Sequence, residues 1–121
     1  MVKLITIVKR KPGITRNEFI QHWQQVHARI AIEDKSFWNR VRKYVQNYVT
    51  SADGQHVAWD GVVELWFDSQ EELDAAFAGP ETKKKLIADL DNFIDQTSMI
   101  SVLTEENVLY DSGASSITHV G

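Results

Sequence analysis

His27 is the residue whose type and position in this sequence best suit chemistry. Residues 15–30 have the pattern of an amphipathic helix, with apolar side chains recurring every three or four positions. At about 100° per residue, His27 lies about 40° from Trp23, inside the apolar stripe. An imidazole placed there is partly desolvated, and its ordinary pKa is close to neutrality. His27 therefore suits proton transfer; the alternative is a core histidine that hydrogen-bonds a backbone carbonyl.

The helix that carries His27 has a marked start. Thr15 and Glu18 have the spacing of a capping box, in which each side chain binds the other residue's backbone N–H. The predicted apolar stripe consists of Phe19, Ile20, Trp23, Val26 and Ile30. His22 lies at the border of this stripe. Because His22 and His27 are five positions apart rather than three or four, we expect no shared helix face and no metal site.

Composition limits the class of protein. The 121 residues are enough for one domain, and the net charge of −4 argues against a nucleic-acid partner. No cysteine is present, which excludes disulfides, thiolate nucleophiles and thiolate metal ligands. No stretch reaches the roughly 20 apolar residues of a membrane span. We therefore expect a soluble cytoplasmic protein that does not act on membranes.

The predicted elements follow the order β-α-β-β-α-β. Strands are expected at residues 3–9, 41–50, 62–67 and 98–104, with a turn at residues 51–55. A second helical region is expected after Ser69, broken at Gly79-Pro80. This order predicts an α+β, ferredoxin-like fold with a four-stranded antiparallel sheet. The domain is expected to cover residues 1–110, with residues 105–110 as a candidate short edge extension of the last strand and residues 111–121 as a mobile polar tail.

The strands are apolar on both faces. The helices of a ferredoxin-like fold cover one face of the sheet, so the other face needs a second cover. An uncovered apolar sheet is larger than the patches that soluble monomers usually expose. We therefore expect a homodimer whose sheets pack face to face, which is a dimeric α+β barrel.

Several segments together resemble the EthD-type family of the dimeric α/β-barrel superfamily. They are residues 4–13, 18–19, 23–27, 42–47, 60–67 and 104–106, and the resemblance spans about residues 3–110. Such proteins include lactone isomerases and polyketide-tailoring dehydratases or decarboxylases, which use neither cofactor nor metal. Members commonly have a proline where this chain has Arg29, after the small residue Ala28. The helix is therefore expected to continue further here.

The resemblance implies a pocket between sheet and helices, with His27 as the acid or base. Tyr44 and Asn47 are candidate donors to a developing oxyanion, and Glu64 a candidate second base or partner that orients His27. Tyr44 and Asn47 are three apart on a strand, so they face opposite ways. The alternatives are sheet packing for Tyr44, and for Glu64 a carboxylate paired with Arg42 or Lys43. The candidate pocket residues are Trp23, Asn47, Trp66 and Phe19, although these aromatic residues equally suit a core.

The function expected from these features is acid–base catalysis without a cofactor. The reaction would be an isomerisation, lyase or dehydratase step, or cyclisation of a small cyclic, aromatic or lactone-like metabolite, in a catabolic or polyketide-tailoring pathway. The alternatives are a non-catalytic homodimer that binds a small molecule or supports a partner enzyme, and a cofactor-free oxygenase.

Overall fold

The sheet has four antiparallel strands in the order β2-β3-β1-β4. The computed structural model describes residues 1–50 and 58–112. The strands are β1 (Val2–Val8), β2 (Val41–Tyr48), β3 (Gly61–Phe67) and β4 (Ile100–Thr104). This arrangement confirms the predicted ferredoxin-like α+β fold. The turn predicted at residues 51–55 and the tail from residue 113 onward lie outside the described residues.

Helices cover one face of this sheet. Helix α1 (residues 16–33) has three consecutive segments, which are α-helical Arg16–Gln21, π-helical His22–His27 and α-helical Ala28–Glu33. Helices α2 (Lys35–Trp38) and α3 (Gln70–Ala78) follow. Helix α4 (residues 80–89) contains the π-helical segment Thr82–Ile87 and leads into 3-10 turns at Leu90–Asn92 and Gln96–Ser98. No helix within the described ranges is long and apolar enough to cross a bilayer.

The predicted helix starts are confirmed. Thr15 and Glu18 form the full capping box at the start of α1, and the Ser69 hydroxyl accepts from the backbone N–H of Glu72 at the start of α3. Before α1, Gly13 takes a φ of +93°, a conformation that L side chains rarely adopt. The chain therefore turns sharply from β1 into the helix that carries both histidines.

The two faces of the sheet differ in their cover. The face toward the helices packs into two adjoining apolar clusters, centred on Phe67 with Phe37 and on Phe19 with Phe93. The opposite face, called the outer face here, carries the alternate residues of each strand, such as Ile5 and Ile7 of β1 and Val62 and Glu64 of β3. Residues 105–112 have no regular secondary structure, so the short edge extension predicted at 105–110 does not form.

Candidate functional site

The π-helical segment of α1 brings His22 and His27 onto the same side of the helix. The backbone N–H of Ala28 donates to the carbonyl of Trp23, five residues earlier, which is the π-helical bond. Residues five apart therefore lie nearly above one another, whereas an α-helix would separate them by about 140°. The expectation that these histidines do not share a face is wrong for this reason. The wider turn also leaves Val26, which was predicted to be in the apolar stripe, 44% exposed.

Both histidines hydrogen-bond one carboxylate, that of Asp89 in α4. Nδ1 of His27 lies 2.8 Å from Oδ2, and Nε2 of His22 lies 2.9 Å from Oδ1 and 3.0 Å from Oδ2. The Asn92 amide also donates to Oδ1, at 2.9 Å. These donors point at the carboxylate rather than at a common vacant point. No group of three metal-binding side chains in the described ranges is arranged to hold a metal ion.

The hydrogen bonds define the protonation state of the His27–Asp89 pair. Burial alone would raise the pKa of Asp89, but donation by Asn92, His27 and His22 outweighs it and holds the pKa below its ordinary value. The carboxylate is then ionised and only accepts, so Nδ1 of His27 carries a proton. Burial lowers the pKa of His27, against the opposing effect of Asp89. At neutral pH His27 is therefore neutral, with its lone pair on Nε2.

Phe93 provides much of the apolar surroundings of these rings. It is fully buried, and its ring centroid lies 4.8 Å from that of His22 and 5.0 Å from that of His27. The His27 side chain is 10% exposed, whereas the His22 side chain is 25% exposed. The His27–Asp89 pair is therefore largely shielded from water, which strengthens its charge-assisted hydrogen bond.

His27 lines a cavity of about 190 Å³ between the sheet and the helices. Nδ1 is bound to Asp89, and Nε2 has no partner in residues 1–50 and 58–112. Nε2 keeps some solvent exposure, because no fully buried side-chain nitrogen or oxygen in those ranges lacks a partner. The other lining residues are Leu4, Thr6, Val8, Trp23, Ala31, Phe37, Tyr44, Val63, Leu65, Phe77, Leu86, Ile87, Leu90, Ile94, Met99 and Ser101. The cavity is smaller than the roughly 300–1,000 Å³ of drug-sized sites, and suits a single ring.

Tyr44 is held in the cavity wall by its strand neighbours. The Gln46 amide nitrogen donates to the Trp23 carbonyl and to the Tyr44 hydroxyl, both at 2.9 Å, and the Tyr48 hydroxyl donates to the Gln46 carbonyl oxygen at 2.7 Å. The Trp23 carbonyl can only accept, which fixes the orientation of the amide. Burial raises the pKa of Tyr44, so its hydroxyl keeps its proton. With its oxygen already accepting, Tyr44 is set to donate to a ligand.

Trp23 reaches the cavity because β3 begins with a glycine. A Cβ on Gly61 would lie 2.5 Å from Cζ3 of the indole. The indole also packs edge-on against Tyr48, with ring centroids 5.6 Å apart. The close approach of helix and strand at this point therefore depends on a residue without a side chain.

The structure does not bring all of the predicted site residues together. His27, Tyr44 and Trp23 line one cavity, whereas Glu64, Asn47 and Trp66 lie on the outer face and Phe19 is enclosed in the core. The predicted orientation of His27 by Glu64 is wrong, because strand alternation points Glu64 away from the helices. Glu64 instead pairs with Lys3 at 2.8 Å and accepts from Asn47 at 3.0 Å. Neither of its predicted partners, Arg42 and Lys43, takes that place.

Comparison with known proteins decides the family. The family model described as the EthD domain matches residues 11–97. The chain belongs to the EthD family. Among solved structures, an EthD family protein from Bacillus halodurans superposes with a TM-score of 0.70 at 20% identity, covering 88% of this chain and 99% of its own. No curated protein matches the chain.

Two other solved structures share the fold of this EthD domain. A dimeric protein of unknown function and ferredoxin-like fold from Bacteroides fragilis has a TM-score of 0.63 at 16% identity, covering 87% of this chain and 95% of its own. An antibiotic biosynthesis monooxygenase has a TM-score of 0.57 at 14% identity, covering 89% of this chain and 100% of its own. At such identities the likeness establishes the fold, and function must be argued from the site.

Sequence reasoning missed Asp89, the residue that organises the site of this EthD domain. A signal was present, because Asp89 lies three residues after Leu86 and four before Phe93, in phase with the apolar stripe of α4. A carboxylate in that phase is buried and needs donors. The expected continuation of α1 past Arg29 is confirmed, since the helix runs to Glu33.

Proposed function

We propose that this EthD domain is a cofactor-free acid–base enzyme of the isomerase, lyase or cyclase class, acting on a small cyclic, aromatic or lactone-like molecule. The observation that carries the proposal is the His27–Asp89 pair, in which Nδ1 is bound at 2.8 Å, Nε2 has no partner among the described residues, and the residue lines the cavity. A buried imidazole held by a carboxylate is the usual form of a general base.

The residues of the cavity support a proton-transfer sequence. Nε2 of His27 removes a proton from a C–H group beside a carbonyl, and the electron pair of that C–H bond moves onto the carbonyl oxygen. Tyr44 donates a hydrogen bond to that oxyanion, and Asp89 stabilises the imidazolium. Return of the proton to another carbon completes an isomerisation, and its transfer to a leaving hydroxyl completes a dehydration. The cation and the oxyanion are both short-lived.

Proton exchange tests this proposal without knowledge of the natural substrate. A panel of lactones and phenolic ketones is incubated in D2O, and loss of the C–H signal next to the carbonyl is followed by proton NMR. We expect exchange with the native protein and its loss with His27→Gln. The matched control is Val26→Gln, which places the same new residue one position away on the exposed side of α1. Exchange by His27→Gln at the native rate would refute the proposal.

We further propose that the protein is a homodimer joined through the outer face of the sheet. The face carries the apolar side chains Ile5, Ile7, Val45, Val62, Ile100 and Val102. Of these, Ile100 is 47% and Val102 is 48% exposed. The Lys3–Glu64 ion pair lies among these side chains, and an apolar patch that surrounds a paired charge is typical of an interface.

The dimer is tested by light scattering after size-exclusion chromatography. Val102→Asp places a charge in the apolar face and is expected to give a monomer. Val108→Asp is the control, because Val108 is 65% exposed and lies outside the sheet. A Val102→Asp protein that remains a dimer would contradict this interface.

A non-catalytic binding protein is the second candidate, and the largely apolar lining of the cavity is the observation in its favour. The two candidates differ in the His27 ring. If His27 is a base, the 15N chemical shifts of its ring nitrogens change when a ligand binds; if it is structural, they do not. Ligand binding without such a change, together with no proton exchange, would favour the binding protein.

A further inference from the structure

The cavity has a negative group beside its wall but no positive side chain among its described lining residues. None of its lining residues in the described ranges is a lysine or an arginine. The charged group next to the wall is the Asp89 carboxylate, 2.8 Å from Nδ1 of His27 and 6% exposed. The potential inside the cavity is therefore unfavourable to an anion.

A ligand that carries a permanent negative charge would lose its hydration in this cavity without gaining a cation. A buried charge is tolerated in a protein when it is paired with an opposite charge or with several hydrogen-bond donors. An oxyanion formed during the reaction is different, because the proton that leaves the substrate makes His27 a cation at the same moment. The cavity can therefore accommodate a transient oxyanion while rejecting a carboxylate.

Uncharged hydrogen-bond donors line the cavity from both edge strands of the sheet. Tyr44 stands on β2, which is one edge strand, and Ser101 stands on β4, the opposite edge. The Ser101 hydroxyl lies 2.9 Å from that of Thr6. Whichever of these two donates to the other, the accepting hydroxyl keeps its own proton for a ligand. These groups suit carbonyl or ether oxygens at two positions of a ring-sized molecule.

We propose that the cavity selects uncharged ring compounds with carbonyl acceptors, such as lactones and cyclic or aryl ketones, and excludes the corresponding carboxylates. This selectivity deepens the acid–base function proposed above and rests on the same cavity. Its determinants are the hydroxyls of Tyr44, Thr6 and Ser101 and the absence of a lining cation among the residues the structure describes.

Acetophenone and benzoate form a suitable probe pair, because they share ring and shape and differ in charge at neutral pH. Binding of each is measured by chemical-shift titration of the 15N-labelled protein. We expect acetophenone to shift the amides of Tyr44 and Ser101, and benzoate to bind at least about tenfold more weakly. Benzoate that binds as tightly as acetophenone would overturn the proposal, and so would failure of both probes to bind.

A cation added at the cavity edge should reduce or remove the discrimination against carboxylates. Ser101 belongs to the exposed edge strand, so Ser101→Lys is expected to fold. We expect it to bind benzoate at least tenfold more tightly than the native protein does, and Ser101→Gln, a neutral control, to bind it no better. Equal benzoate affinity in the native, lysine and glutamine forms would contradict the electrostatic explanation.

Binding titrations and the proton-exchange assay on the native protein together separate this inference from the proposed function. Selective binding of acetophenone without any proton exchange would support the ligand class and refute the enzyme. Proton exchange on carboxylates rather than on ketones or lactones would support the enzyme and refute the ligand class.

Discussion

Replacement of Asp89 by asparagine tests the pair at the centre of the site. The change preserves shape and removes the charge that faces both histidines. When His27 becomes a cation, it loses a charge-assisted hydrogen bond that spans 2.8 Å in the native protein. Such bonds contribute about 1.5–3 kcal/mol. At 1.36 kcal/mol per tenfold change in rate, we expect proton exchange to slow by about 10- to 150-fold.

The His27 ring provides a readout that does not require a substrate. The hydrogen bond to Asp89 and its charge both raise the pKa of His27 against the effect of burial. Asp89→Asn should therefore lower that pKa further, as measured by NMR titration of the ring. Asp91→Asn is the control, because Asp91 lies on the same turn, is exposed and bonds Gln96 instead.

The asparagine variant should also be less stable. The NH2 group of asparagine would face one of the N–H groups that now donate to the carboxylate. That N–H would lose its acceptor, at a cost of about 1–3 kcal/mol. Urea unfolding measures this loss. An Asp89→Asn protein with the native His27 titration and the native exchange rate would rule out this role of Asp89.

Three further predictions concern the same region. Burial lowers the pKa of His27 from 6.5, so the contribution of this residue to stability is complete above about pH 6.5 and is lost as the pH falls below it. The free energy of urea unfolding should therefore change less between about pH 7.5 and about pH 5.5 in His27→Gln than in the native protein. Gly61→Ala should cost about 1–3 kcal/mol in urea unfolding by displacing Trp23, and an unchanged midpoint would contradict the close contact. Tyr44→Phe should slow proton exchange by about 10²-fold while the protein stays folded, and an unchanged rate would remove Tyr44 from the mechanism.

The fold could be predicted from the sequence because its signals are local. Alternating strands, the Thr15 capping box and the Ser69 cap all depend on neighbours in the chain, and the structure confirms them. The predicted pairing of Glu64 failed for a different reason. Strand alternation predicts which residues share a face of the sheet, but it does not predict which face the helices cover. Glu64, the predicted partner of His27, lies on the face that the helices leave uncovered.

The site required information that periodicity does not contain. His27 and Asp89 are 62 residues apart, and their contact depends on how α1 and α4 pack. A fixed turn of about 100° per residue also assumes a regular α-helix. The π-helical segment departs from that assumption between His22 and His27, where the sequence contains neither glycine nor proline to mark it.

The π-helical segment makes the geometry of the histidine pair depend on chain length. Gln24 and Gln25 are exposed, and deleting one of them would let α1 continue as a regular α-helix with the same apolar neighbours. His22 and His27 would then be four residues apart in a regular α-helix, where about 40° separates them and both rings again lie on one side. The π-helical segment thus lets a spacing of five residues do what a spacing of four does in an α-helix. A chain shortened by one glutamine should keep both rings on the side of Asp89 while gaining a more regular helix.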